Sequence, residues 1–210
     1  MKDALIWGAS GGMGRALTQQ LIDAGWRVFA AARDTSRIPS GVHEAYNFEA
    51  ANHAALMDIA IDLAHQTDGL ALSVYFAGEL RAELLKKMTP EQWAQTIDSN
   101  FTGAFMTTSQ TLHLHNPGAH LVYIGAYIDH LILPKMGAYA AAKAGLETLV
   151  DVLQKENRKL NFTLVKPGAV DTPFWENAPF RLPTNAKTTD VVAQAIMERI
   201  NSDERGPLEL

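Results

Sequence analysis

Ala4-Leu5-Ile6-Trp7-Gly8-Ala9-Ser10-Gly11-Gly12-Met13-Gly14 joins a short apolar run directly to a cluster of glycines, and a helical pattern follows from Gly14 to Ala24. The run reads as a buried strand, being short, apolar and ended by glycine. Glycine lets the backbone turn tightly and approach a phosphate, while the N-terminus of the next helix presents free N–H groups and a favourable dipole. Strand, glycine turn and helix in this order predict a phosphate-binding βα unit at the head of an α/β fold.

The rest of the chain repeats the alternation. Apolar runs at Arg27–Ala31, Ala71–Phe76, His120–Ile124 and Asn161–Val165 are bounded by Gly, Pro, Asn or Asp, and helical patterns fill Ala50–His65, Thr89–His115, Gly137–Lys159 and Thr189–Ile200. Such alternation implies right-handed crossovers. The expected fold is therefore α/β, a doubly wound and mostly parallel sheet with helices on both faces, the Rossmann fold. No repeat or linker divides residues 1–210, which are expected to form a single domain; the proline-containing stretch 171–189 is expected to be a short substrate lid.

The 210 residues are 47% hydrophobic and 20% charged, an ordinary globular balance. A formal charge of −5 with scattered basic residues lacks the electrostatic footprint of a nucleic-acid or anionic-membrane binder, so the expected partner is a small molecule. No apolar run reaches the roughly 18 residues of a membrane span. The absence of cysteine excludes disulfides and thiol catalysis and agrees with a cytoplasmic location. The seven histidines show no metal-ligand spacing, and His113 and His115 read as ordinary helix-end residues, so no metal is expected.

Tyr139-Ala140-Ala141-Ala142-Lys143 sets a phenol and an ammonium one helical turn apart on one face. A neighbouring positive charge favours tyrosinate, so the pair suits proton transfer to or from a ligand oxygen. Further on, Pro167-Gly168-Ala169-Val170-Asp171-Thr172 follows the run Asn161–Val165.

Taken in order, Gly8-x-x-x-Gly12-x-Gly14, Tyr139-x-x-x-Lys143 and Pro167-Gly168-x-x-x-Thr172 resemble the motifs of the short-chain dehydrogenase/reductase family over nearly the whole chain. The resemblance implies an oxidoreductase that moves hydride between a nicotinamide and a carbonyl or alcohol substrate. It makes Tyr139 the acid/base, gives Lys143 the nicotinamide ribose as well as the tuning of Tyr139, and has Asn100 hold a water in the proton relay. It also implies a cofactor site in which Gly8, Ser10, Gly12, Met13 and Gly14 form the pyrophosphate turn. Asn47 and Phe48 then lie beside the adenine, Ala77 and Gly78 admit the cofactor to the backbone, and Pro167, Gly168, Val170 and Thr172 meet the nicotinamide half. Where NAD-specific relatives place an acid after the second strand, this chain has Ala32 followed by Arg33. A guanidinium there can grip a 2′-phosphate, so NADP(H) is the expected cofactor and NAD(H) the alternative.

Departures from the family pattern are equally specific. Trp7 replaces a threonine, Tyr75-Phe76 replaces two asparagines, and Gly11 stands where some NADP-preferring relatives have a basic residue. Counting back thirteen positions from Tyr139 places Ala126 where relatives carry the catalytic serine, a donor to the oxyanion whose type is worth about 10²–10³ in rate. Two readings stand: a neighbouring hydroxyl such as that of Tyr127 substitutes, or the chain binds NADP(H) with weak or no turnover as a sensor or partner-binding protein. The patterns Thr89–His115 and Gly137–Lys159 match the helices through which relatives pair, which implies a homodimer or homotetramer. Phe174, Trp175 and Phe180 are candidate pocket-lining residues.

Overall fold

The computed structural model describes residues 1–202 and 204–210. Its strands are β1 (Asp3–Trp7), β2 (Arg27–Ala32), β3 (Glu44–Asn47), β4 (Leu70–Tyr75), β5 (His115–Ile124), β6 (Asn161–Lys166) and β7 (Leu208–Glu209). They form one sheet in the order β3-β2-β1-β4-β5-β6-β7, and every neighbouring pair is parallel. The helices are α1 (Gly12–Asp23), α2 (His53–Gln66), α3 (Pro90–Ile97), α4 (Gly103–Thr111), α5 (Gly137–Glu156) and α6 (Thr189–Ile200). The expected doubly wound α/β fold is the observed one.

The period of two along β1 divides the core. Leu5 and Trp7 pack with Leu56, Leu63 and Leu146 on one face, whereas Ala4 and Ile6 pack with Leu17, Leu21, Val192 and Ile196 on the other. Strands buried on both faces read as continuous apolar runs, which is why the central ones were visible in the sequence. β3 has mostly exposed residues and β7 has two residues, so neither edge strand carries such a run.

One expected element is corrected. Thr89–His115 is not a single helix: α3 gives way to a π-helical turn, Asp98–Thr102, then α4, then a 3-10 turn, Leu112–Leu114. His115 accordingly opens β5 instead of ending a helix, and β5 begins five residues before the apolar run His120–Ile124. A π-turn contains an extra residue per turn, which an apolar period does not announce.

Candidate active site

In a doubly wound sheet the ligand crevice lies at the carboxyl ends of the strands where the order reverses, here between β1 and β4. Gly8 leaves β1 with φ +84°, and a β-carbon on it would lie 2.6 Å from the Ala77 nitrogen beyond β4. Only glycine fits that crossing. No side chain caps α1, so its first N–H groups have no side-chain partner. Gly12 is packed against the Thr172 side chain, which joins the glycine turn to the Pro167–Thr172 loop.

Two cavities, of ≈ 790 and ≈ 580 Å³, flank this crossing and share Ser10, Gly11, Arg33, Phe76, Gly78 and Glu79, so they form one continuous groove. The smaller cavity runs past Gly8 and Ala77 toward Phe48 and Ala50. The larger contains Gly12, Met13 and Gly14 at one end and Asn100, Tyr139 and Lys143 with the loop residues Pro167, Gly168, Val170 and Thr172 at the other. These residues, scattered over the sequence, therefore meet in one groove.

Its floor is built by α5 and the π-turn. Lys143 is buried and donates from Nζ to the Ile124 carbonyl at 2.8 Å, while Nζ stands 5.5 Å from the centre of the Tyr139 ring. Burial brings the Lys143 ammonium down to about 8 and pushes the Tyr139 phenol above its ordinary range, so the phenol stays protonated at neutral pH. Asn100 is fully buried, its Nδ2 donating to the Glu79 carbonyl at 2.6 Å and the Thr96 carbonyl at 2.9 Å. Its Oδ1 is buried without a partner. A β-carbon on Gly78 would sit 2.7 Å from Asn100 Oδ1 and 3.9 Å from Lys143 Nζ, so the bare glycine keeps open the space these two groups share.

Over the floor lies the segment between β6 and α6. Asp171 donates to the Lys187 carbonyl and Lys187 to that of Ala169, pinning the two ends of the segment together. Phe174 tilts against Tyr139 with ring centres 5.3 Å apart, and Trp175 donates to the Val170 carbonyl at 2.8 Å while packing edge-on to Phe180. All three aromatics line the larger cavity.

The model of the short chain dehydrogenase family matches residues 2–180. The chain belongs to the short-chain dehydrogenase family. It is thereby an oxidoreductase of the kind that acts on CH–OH and C=O groups. Among curated relatives it is 28% identical over 185 residues to the 3-amino-tetrahydro-pyrrolizinone reductase of Xenorhabdus hominickii, matching 83% of this chain but only 64% of that protein's length. It is 29% identical over 204 residues to an uncharacterized oxidoreductase of Myxococcus xanthus, covering 91% of this chain and 81% of the relative. Similar solved structures include an alcohol dehydrogenase from Thermococcus sibiricus complexed with 5-hydroxy-NADP, at TM-score 0.90 and 24% identity, covering 100% of this chain and 96% of that one. A short-chain dehydrogenase from Burkholderia cenocepacia in complex with NADP superposes at TM-score 0.87 and 21% identity, with coverage of 100% and 96%.

Several residues of this short-chain dehydrogenase sit differently from the sequence reading. Phe48 is 3% exposed and its ring is wedged between Trp7, at 4.9 Å, and Tyr75, at 6.4 Å, so it is chiefly a core aromatic that borders the smaller cavity. Asn47 spends its amide on the Arg33 carbonyl at 3.1 Å and lines neither cavity. The Tyr127 hydroxyl donates to the Leu210 carbonyl at 3.4 Å, turned toward the chain end, while Ala126 itself lines the groove. Three charged groups that line the larger cavity escaped the sequence reading: Arg37, Glu79 and Arg81. Arg37 had a signal, standing four residues beyond Arg33. Glu79 and Arg81 had none, because what brings them to Arg33 is the pairing of β1 with β2 and β4.

Proposed function

We propose that this protein is an NADP(H)-dependent oxidoreductase of carbonyl and alcohol substrates, with Tyr139 as acid/base aided by Lys143 and Asn100. The observation that carries the reading is the meeting of the Tyr139 phenol, the buried Lys143 Nζ and the unpartnered Asn100 Oδ1 at one end of a groove whose other end is the glycine turn. The residues present fit a dinucleotide: an uncapped helix N-terminus for its pyrophosphate, bare backbone at Gly78, and Arg33 at the position of a 2′-phosphate. NADP in the two structural neighbours supports the same cofactor.

When bound, the nicotinamide supplies or accepts the hydride. In the reductive direction Tyr139, kept protonated by burial, gives its proton to the carbonyl oxygen. Lys143 places a cation under the phenol ring and stabilises the tyrosinate that results. Asn100 Oδ1 offers a buried acceptor to a water that returns the proton. Phe174, Trp175 and Phe180 give this end of the groove an aromatic wall for the apolar part of a substrate. Exposed Phe105 on α4 and Val152 on α5 support association into a homodimer or homotetramer through these helices, which light scattering checks.

The test is NADPH oxidation with a panel of aldehydes, ketones and quinones. Tyr139→Phe is expected to lower kcat by about 10²-fold or more while NADPH still binds. A substrate turned over equally fast by that variant would overturn the role of Tyr139. A second reading, cofactor binding with little turnover, is favoured by Ala126 together with the Tyr127 hydroxyl facing away; it predicts tight NADPH binding and no oxidation across the panel.

A further inference from the structure

Glu79 stands immediately after Ala77-Gly78, where the groove's two cavities join, with its side chain 13% exposed. Its carboxylate is ion-paired with Arg81 Nε at 2.7 Å and accepts from Arg33 Nη1 at 3.3 Å and from Gln95 Nε2 at 3.5 Å. Its own backbone carbonyl accepts from Asn100 Nδ2 at 2.6 Å. The carboxylate is thus fixed from the β4 side of the groove, whereas Arg33 arrives from the end of β2 with its side chain 69% exposed. Of the two partners, Arg33 is the one free to move.

We propose that Glu79 is a cofactor-selectivity residue, a carboxylate that competes with the cofactor's 2′-phosphate for Arg33 and so tempers the preference for NADP(H) over NAD(H). A phosphate carries a charge of about −1.5 to −2 and offers a guanidinium two parallel bonds, so it wins Arg33 from a single 3.3 Å contact. The winning has a cost, however: the Glu79–Arg33 pair is broken and a second anion is brought close to the first. NAD(H) lacks the phosphate and does not meet that cost. The inference rests on the proposed contact between Arg33 and the 2′-phosphate.

Fluorescence titration of NADPH and NADH into the wild type, Glu79→Gln, Arg33→Gln and the double variant tests it. Glu79→Gln is expected to tighten NADPH about three- to tenfold and to leave NADH within about twofold, with the gain abolished in the Arg33→Gln background. Unchanged or weaker NADPH binding in Glu79→Gln, or a gain that persists without Arg33, overturns the proposal. If Arg33→Gln leaves NADPH affinity unaltered, the phosphate contact itself fails and the inference with it; if Arg33→Gln weakens NADPH and Glu79→Gln changes nothing, only the inference fails. Glu79→Asp, whose carboxylate falls about one carbon–carbon bond short of Arg33, gives the same readout should the glutamine variant not fold.

Discussion

Ala126, just beyond β5, lines the same cavity as Tyr139 and presents only a methyl group to it. A methyl group donates no hydrogen bond, and the nearest candidate substitute, the Tyr127 hydroxyl, is directed at Leu210. Ala126 is partly exposed to the cavity, which leaves room for a hydroxyl. Ala126→Ser is therefore expected to raise kcat about 10- to 100-fold with little change in KM, measured by steady-state kinetics on the best substrate found. No rise would mean that another group already meets the oxyanion. Tyr139 and Lys143 were legible in the sequence because four residues in a helix fix one face locally. Glu79 was not, since its meaning comes from Arg33 and Arg81, and nothing in the local sequence joins the three.

α3 and the turn after it show how an element places a residue that its local sequence disfavours. Thr89 accepts from the Gln92 backbone, Gln92 returns a bond to the Thr89 N–H at 3.0 Å, and Pro90 stands in the first turn, which together fix where the helix begins. Eight residues later the helix widens into the π-turn Asp98–Thr102, and Asn100 is buried there with its amide bonded to two carbonyls. π-turns of this kind recur at functional sites, and this one delivers Asn100 Oδ1 to the floor of the groove. Thr89→Ala is expected to cost about 1 kcal/mol and lower Tm by about 2–4 °C in a thermal scan, without moving cofactor affinity more than about twofold. A loss of cofactor binding at unchanged Tm would show that the cap positions Asn100 as well as starting the helix. The cap was readable as a sequence pattern; the π-turn was not, because its extra residue leaves no trace in an apolar period.

The whole fold is expected to lose stability toward acid. Burial holds His115 down at about 4 and lowers His120 as well. His115 donates from Nδ1 to the Thr111 carbonyl at 3.0 Å, and its Nε2 is buried without a partner, so a second proton on the ring has no acceptor to meet it. Because the folded state binds these protons less readily than the unfolded chain, the histidines' contribution is complete above pH 6.5 and is lost as pH falls toward 4. Lys143 works in the same sense at the other end: folded at about 8 against 10.5 unfolded, it makes stability rise with pH between those values. Urea unfolding at pH 7 and pH 5 is expected to show a loss of about 1–2 kcal/mol, partly removed in His115→Gln. Equal stability at both values, or an unaltered decline in the variant, would place the acid sensitivity elsewhere.

The alternation of strand and helix, the glycine turn and the Tyr139–Lys143 spacing were set by the chain's local order, because periodicity, turn geometry and helical faces are short-range properties. Family membership followed from those same motifs. The groove itself is a different matter. That Gly8 crosses Ala77, that Gly78 keeps space between Asn100 and Lys143, that Phe48 turns into the core and that Glu79 holds Arg33 all depend on parallel pairing of β1 with β2 and β4. Each joins residues from 22 to 69 positions apart, where no periodicity reaches and packing alone selects the partner.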